Sequence, residues 1–342
     1  MQFVYYRNNY MGRPEKKIVL ARDRAYHGTT YMAHSFSMDT DDMDSMNSLG
    51  DDLVSRLTCP DPLNRPEGMT PEQFTDHLVA ELEERIATLG ADKIAAFIAE
   101  PVMGAGGCVV PPPGYIRRMW EVLQANDIAY ISDEVVTGYG RLGAWFASED
   151  VFGIQPDIIT FAKGITSGYQ PLGGCIISDR LLESVSGADK ENAAWRVGYT
   201  YSGHPVACAA GIANLELMEE TNILEHVQDV GSAFQSGLKA LEALPLCRET
   251  RGLGLMAGIE LVDHTGGDAE KEAEEEANKE QCKRLSAKCL DAGVILRMQR
   301  NRAVLSPCLV ITKEEALGLV ETIKTAMTET HSELVAEGML AA

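Results

Sequence analysis

Residues 128–141 read IAYISDEVVTGYGR and residues 156–165 read PDIITFAKGI, and these two stretches decide the fold. Each contains a short run rich in isoleucine, Ile128–Ser132 and Ile158–Phe161, that ends near glycine, proline or aspartate. Such runs are typical of buried strands. The distance between them matches one strand–helix–strand unit, which parallel strands need for their crossover. The pair therefore predicts neighbouring strands of a parallel sheet.

The sequence around these runs repeats the same alternation. Further buried strands are predicted at Ile18–Ala21, Ile94–Ile98 and Gly174–Ile177. Between them, Pro71–Leu89 and Gly114–Asn126 carry apolar residues at helical spacing. Strands that alternate with helices predict an α/β fold with a mostly parallel sheet covered on both faces. Functional sites of such sheets lie at the carboxyl ends of the strands.

The pattern changes after Ser202 and predicts a smaller C-terminal α+β domain. We expect a large domain over residues 1–221, and an interdomain helix with the small domain over residues 222–342. The predicted elements of this second half are helices at Pro205–Glu219, Asn222–Leu244, Glu270–Ala292 and Lys313–Glu337, and strands at Gly252–Val262, Val294–Met298 and Ala303–Leu305.

The overall charge argues against some classes of partner. The 342 residues carry a formal net charge of −21, and a field of this sign repels nucleic acid and anionic membranes. No apolar run has transmembrane length. The eight cysteines form no Cys-x-x-Cys pair and the seven histidines show no metal-ligand spacing. We therefore expect a cytoplasmic protein that binds no metal, membrane or nucleic acid.

Three predicted strands end in reactive polar groups. Glu100 follows one strand, Asp133 and Glu134 end the next, and Lys163 follows the third. A lysine that is buried at a strand end has a lowered pKa and a nucleophilic amine, which can attack an aldehyde. A buried carboxylate suits the pyridinium nitrogen of pyridoxal phosphate. For any single lysine and aspartate, however, a structural ion pair is the more frequent explanation.

Longer stretches of sequence favour the cofactor explanation. Residues 131–141, 156–165 and 198–206 closely resemble the signature of class III aminotransferases. Arg24–Gly28 and Leu305–Pro307 extend the resemblance over essentially the whole chain. It implies the fold type I architecture of pyridoxal-phosphate-dependent transferases.

The resemblance also implies a role for individual residues. Lys163 would hold the cofactor covalently and then move the proton between substrate and cofactor. Asp133 would keep the pyridinium nitrogen protonated. Tyr26 would stack on one face of the ring, Val135 would close the other face, and Glu100 would belong to the hydrogen-bond network beside the cofactor.

Thr200 carries an implication for assembly. In the family that the sequence resembles, this position binds the phosphate of the cofactor in the neighbouring subunit. The resemblance therefore implies a homodimer, or a dimer of dimers, with shared active sites.

One substitution indicates a branch of the family. The segment from Glu100 to Gly107 has Ala105 where branches acting on ornithine or 4-aminobutyrate carry a glutamate that pairs with an active-site arginine. The sequence resembles the ω-amino acid or amine:pyruvate branch, in which a mobile arginine binds the carboxylate of pyruvate. Arg297 is the candidate. Arg300 and Arg302 follow closely, and a surface arginine is the alternative.

The resemblance implies an aminotransferase that moves an amino group from an ω-amino acid, polyamine or other amine to a keto acid, with pyruvate expected, in a ping-pong cycle of pyridoxal and pyridoxamine phosphate. An aminomutase, racemase or decarboxylase on the same scaffold is one alternative.

Residues 1–10 resemble the back half of a helix whose phosphate-binding start is expected further upstream. A fragment of a longer enzyme and a non-catalytic truncated remnant are therefore both considered.

Overall fold

The computed structural model describes residues 1–37, 50, 52–186, 195, 197–265 and 272–340, apart from the side chain of Ala273. The chain divides into two compact units, which are described separately. The large unit contains Met1–Gly106, Val110–Tyr139 and Ala144–Thr221. The small unit contains Asn222–Ala342 together with the short segments Gly107–Val109 and Gly140–Gly143.

A six-stranded sheet forms the centre of the large unit. Its strand order is β2-β1-β3-β4-β5-β6; the first five strands are parallel and β6 is antiparallel to β5. This confirms the predicted mostly parallel sheet. The strands are β1 Ile18–Arg22, β2 Val54–Leu57, β3 Ile94–Ala99, β4 Ala129–Asp133, β5 Ile158–Phe161 and β6 Gly174–Ile177.

Helices pack on both faces of this sheet, as predicted. Helices α3 and α4 bury Leu82 and Met119 against one face, while α1 and α6 bury Val4 and Leu181 against the other. The helices of the large unit are α1 Gln2–Tyr10, α2 Tyr31–Phe36, α3 Pro71–Leu89, α4 Tyr115–Ala125, α5 Ala147–Asp150, α6 Asp179–Ser186 and α7 Pro205–Glu220.

The bounds of helix α3 follow from local chemistry. Thr70 and Gln73 form a reciprocal capping box at its start, with proline at the first helical position. Gly90, with a φ of 89°, ends it in a conformation that glycine adopts without strain. These signals explain why the predicted and observed bounds coincide.

The small unit has an antiparallel sheet and three long helices. The strand order is β7-β8-β10-β9. The elements are helices α8 Ile223–Lys239, α9 Glu272–Asp291 and α10 Lys313–Ala336, and strands β7 Cys247–Leu253, β8 Met256–Leu261, β9 Arg297–Gln299 and β10 Arg302–Leu305.

Two predictions for the small unit were wrong in detail. The single strand predicted at Gly252–Val262 is instead the end of β7, a turn and β8. The chain reverses at Gly254, where φ is +53° and an added Cβ would lie 2.7 Å from the Arg141 carbonyl oxygen. The strand predicted at Val294–Met298 begins only at Arg297, because Gly293 and the residues after it first complete the turn from α9.

No helix within the described ranges is both long enough and apolar enough to cross a bilayer.

Candidate active site

The carboxyl edge of the large sheet brings together three of the predicted strand-end residues. Strands β3, β4 and β5 are adjacent and parallel, so their carboxyl ends meet at one edge. Glu100 directly follows β3, Asp133 is the last residue of β4, and Lys163 comes two residues after β5. Asp133 is paired in register with Thr160 of β5.

Three hydrogen-bond donors from the described part of the chain surround the Asp133 carboxylate, which is 7% exposed. His27 Nδ1 lies 2.6 Å from Oδ2. Oδ1 accepts from the backbone amide of Val135 and from Thr160 Oγ1, both at 3.2 Å. These donors compensate the loss of water around a buried carboxylate. Val135 itself is half-buried directly after this strand end.

Lys163 is exposed, which contradicts the buried lysine expected from the sequence. The reason is that β5 is fully buried only at Ile158, and the chain leaves the sheet after Phe161. Lys163 has a φ of +47°, an uncommon conformation for a residue with a side chain. Residues of this kind cluster at functional sites.

The alternative of a structural ion pair is not supported. Between the described side chains of Lys163 and Asp133 there is no ion pair, and Asp133 is paired with His27 instead. Gly164 allows the turn after Lys163 to pass close to the neighbouring loop, since a Cβ there would lie 2.9 Å from Tyr139 Cβ.

Glu100 connects the end of β3 to the segment that carries Tyr26. Its Oε1 accepts from the Tyr26 amide at 3.1 Å, and its Oε2 accepts from the Gly104 amide at 2.8 Å. Burial raises the pKa of Glu100, and His27 and the Gly104 amide offset part of that rise. The Tyr26 side chain remains 38% exposed and is therefore accessible to a ligand.

Glu134 has a different role from its neighbour Asp133. Its carboxylate is fully buried and accepts from the amides of Ala147 and Ser148 and from the hydroxyls of Thr137 and Ser148. It thus caps the start of α5. Successive residues of a strand point to opposite faces, which separates the two carboxylates.

The remaining predicted residues lie elsewhere in the structure. Thr200 is exposed in the turn before α7, where the Tyr199 amide donates to Ser202 Oγ at 3.2 Å. Arg297 opens β9 in the small unit and is also exposed. No described carboxylate pairs with Arg297, whereas Glu260 holds Arg302 at 2.9 Å. Arg302 is thus held by a carboxylate of the described residues, whereas Arg297 is not.

Sequence reasoning missed His27 and Thr160 as partners of Asp133. His27 lies within the quoted segment Arg24–Gly28, but its contact spans 106 positions and leaves no periodic signal. Thr160 could have been predicted as a partner, since the pairing of β4 with β5 places it beside Asp133. Among the described residues, no group of three or more potential metal ligands is arranged to hold an ion.

Comparisons with known proteins identify the family of the chain. The family model "Aminotransferase class-III" matches residues 1–327. A probable mitochondrial gamma-aminobutyrate transaminase 3 of Oryza sativa subsp. indica is 37% identical over 336 residues, covering 98% of this chain and 64% of that protein. The chain thus spans slightly less than two thirds of the length of this relative.

Solved structures of similar fold are also transaminases. A thermostable (S)-enantioselective omega-transaminase from Thermomicrobium roseum superposes with a TM-score of 0.87 at 38% identity, covering 96% of this chain and 71% of that one. The omega transaminase from Pseudomonas jessenii in complex with PMP gives 0.88 at 34% identity, covering 97% and 72%. These matches confirm the fold type I architecture, and the chain belongs to the class III aminotransferases.

Proposed function

We propose that this protein is an aminotransferase that moves an amino group from an ω-amino acid or other amine to a keto acid, with pyruvate as the acceptor and pyridoxal phosphate as the cofactor. One observation carries the proposal. A buried, hydrogen-bonded carboxylate at Asp133 and an exposed amine at Lys163, which has no ion pair with the described residues, lie on the same edge of the sheet.

The residues at this edge fit the cofactor that class III aminotransferases use. Lys163 would hold the cofactor through its side-chain amine and would transfer the proton at the substrate carbon. Asp133 would accept the hydrogen bond of the protonated ring nitrogen, while Tyr26 and Val135 would flank the ring and Glu100 would fix the Tyr26 segment. When bound, pyridoxal phosphate supplies an electron sink for the substrate carbanion.

Covalent capture tests the assignment of Lys163. The purified chain is incubated with pyridoxal phosphate, reduced with borohydride and analysed by peptide mass spectrometry. We expect the adduct on the Lys163 peptide, its loss in Lys163→Ala, and its retention in the control Lys324→Ala, which changes an exposed lysine of α10. An adduct that persists in Lys163→Ala, or no adduct in the wild type, would refute the proposal.

Arg297 is the proposed carboxylate-binding residue. Its guanidinium is exposed and has no carboxylate partner among the described residues, so it is available to a substrate. A planar guanidinium binds a carboxylate through two parallel hydrogen bonds. The names of the relatives given above, a gamma-aminobutyrate transaminase and omega-transaminases, agree with substrates that carry an amino group distant from a carboxylate.

A second copy of the chain is the proposed partner, as a homodimer or a dimer of dimers. Helix α7 is apolar, yet Val206, Ile212 and Leu217 are 56–58% exposed, and Tyr199 and Tyr201 before it are 79% exposed. Exposed apolar surface of this extent favours an interface. Thr200 lies in the same turn, which agrees with its implied contact to the neighbouring cofactor.

Sedimentation velocity tests this partner. Ile212→Glu is expected to shift the population toward monomer, because it places a charge in the proposed interface. Leu290→Glu is the matched control, since Leu290 is 60% exposed and belongs to a different helix, α9. A monomeric wild type, or equal effects of the two variants, would contradict the assignment.

A cytoplasmic location is also proposed. Cys59, Cys175, Cys208, Cys247, Cys282, Cys289 and Cys308 carry free thiols, which agrees with a reducing compartment.

A further inference from the structure

The contact between His27 and Asp133 joins two buried side chains from distant parts of the sequence. Nδ1 and Oδ2 are 2.6 Å apart, and the two side chains are 1% and 8% exposed. The backbone of His27 is also fixed, because its amide donates to Ser37 Oγ at 2.9 Å. Ser37 Oγ lies 2.9 Å from the Ala33 carbonyl oxygen, to which it can donate.

The chemistry of the two groups decides whether His27 Nδ1 or Asp133 Oδ2 carries the shared proton. An ionised carboxylate can only accept hydrogen bonds, so Nδ1 of His27 must be the donor. Nε2 of the same ring is buried and forms no hydrogen bond with a described residue. The only described hydrogen bond of this imidazole is therefore the one to Asp133.

The lone pairs of Asp133 determine where a further donor can bind. Each carboxylate oxygen accepts about two hydrogen bonds. Oδ1 already accepts two, from the Val135 amide and from Thr160 Oγ1. From the described residues, Oδ2 accepts one, from His27, which leaves one position for a further donor. A ring N–H of the cofactor would therefore bind to Oδ2, the oxygen that His27 holds.

We propose that His27 is a positioning residue for the cofactor ring: its Nδ1–H holds Asp133 Oδ2 in the orientation that accepts the ring N–H, and thereby keeps the ring nitrogen protonated. This inference rests on the proposed function. Without His27, the hydrogen bonds that the described residues still offer the carboxylate are the two longer ones at Oδ1, both 3.2 Å.

Glu100 is a second buried carboxyl group whose charge His27 affects. His27 is the largest of the influences that oppose the rise in the pKa of Glu100, and Asp133 acts in the opposite direction. His27 therefore acts on both buried carboxyl groups, on Asp133 through a hydrogen bond and on Glu100 through its electrostatic influence. This agrees with an electrostatic role of His27 beyond packing.

Two substitutions separate the donor from the bulk of the side chain. His27→Asn places an amide N–H close to the position of Nδ1, whereas His27→Leu fills much of the space without a donor. The full-length chain is loaded with pyridoxal phosphate labelled at the ring nitrogen, and the nitrogen chemical shift and the cofactor dissociation constant are measured. We expect wild type and His27→Asn to show a protonated ring nitrogen. In His27→Leu, the shift should move toward the unprotonated value and the cofactor should bind on the order of tenfold more weakly.

A measurement without cofactor tests the contact itself. Proton NMR of the cofactor-free chain should show a strongly deshielded imidazole proton that disappears in both His27→Leu and Asp133→Asn. Its absence from the wild type would overturn the proposed contact.

The outcomes separate this inference from the proposed function. A wild type that shows the deshielded proton but binds no pyridoxal phosphate would refute the proposed function, and the role at the ring would be refuted with it. A wild type that binds the cofactor while His27→Leu leaves the nitrogen shift unchanged would refute only the role of His27. Equal defects in His27→Asn and His27→Leu would show a packing role and would also overturn the inference.

Discussion

Replacing Glu134 with glutamine is expected to destabilise the start of helix α5 and to leave cofactor capture intact. The two carboxylate oxygens divide their four partners evenly. Oε1 accepts from the amide and the hydroxyl of Ser148, and Oε2 accepts from the Ala147 amide and the Thr137 hydroxyl. Each oxygen therefore has one partner that can reverse its role, the hydroxyl, and one that cannot, the backbone N–H.

This division sets the size of the effect. In Glu134→Gln, the new NH₂ group faces a backbone N–H in either orientation of the amide, so one buried N–H stays without an acceptor. Such a group costs about 1–3 kcal/mol, and the surviving bonds also lose their charge assistance. We expect a loss of about 2–4 kcal/mol, which corresponds to at least roughly 30-fold faster amide exchange if local opening governs it.

Hydrogen exchange followed by mass spectrometry on the peptide around Ala147 and Ser148 measures this directly. Glu149→Gln is the matched control, because Glu149 is an exposed acid on the same helix and its replacement should change stability by less than about 0.5 kcal/mol. Equal exchange in Glu134→Gln and wild type would refute the capping role. Loss of the borohydride-fixed adduct with unchanged exchange would instead show that Glu134 acts on the cofactor.

Three further predictions concern Arg297, Glu100 and Glu260. Arg297→Ala should reduce turnover with pyruvate far more than binding of an uncharged amine, while Arg300→Ala should not; steady-state kinetics with both substrates decides, and equal losses for the two substrates would exclude Arg297. Burial raises the pKa of Glu100, so its contribution to stability should grow as the pH falls from neutrality toward the usual glutamate range. Denaturant unfolding of wild type and Glu100→Gln across this range should show wild type gaining stability relative to the variant at lower pH, and the opposite slope would contradict the assignment. Glu260 is 5% exposed and holds two arginines, so Glu260→Gln should cost about 3–5 kcal/mol in calorimetric or denaturant unfolding; a loss below about 1 kcal/mol would show that solvent compensates the arginines.

The fold was predictable where burial or capping leaves a local signal. Strand β3 is buried at every position, so its sequence is a continuous apolar run. Strand β2, Val54–Leu57, was missed because only Leu57 is fully buried and the segment has neither a run nor a clear alternation. Helices α2 and α6 are six and eight residues long, too short to establish a helical period.

The site was predictable only in part, for a related reason. The alternation of elements predicts parallel strands, and in the observed order the adjacent strands β3, β4 and β5 bring Glu100, Asp133 and Lys163 to one edge. The exposure of a strand-end residue does not follow from the position of its strand. The apolar sequence of β5 predicted a buried lysine, but Lys163 is exposed because the chain leaves the sheet before it.

Asp133 and Glu134 show how much depends on side-chain direction. The two residues are adjacent, acidic and buried, and composition does not separate them. Strand residues alternate between the two faces of the sheet. Asp133 therefore points to the same face as the other odd-numbered residues of β4, and Glu134 points to the face of Tyr130 and Ser132. The Glu134 side chain points to the start of α5, where it accepts hydrogen bonds from backbone N–H groups. On the Asp133 side, Oδ1 accepts from Thr160 of β5 and from the Val135 amide, and Oδ2 accepts from His27 and has one position that no described residue occupies. A protonated ring nitrogen requires an open acceptor position on a held, buried carboxylate, and this is why we propose Asp133 and not Glu134 as its partner.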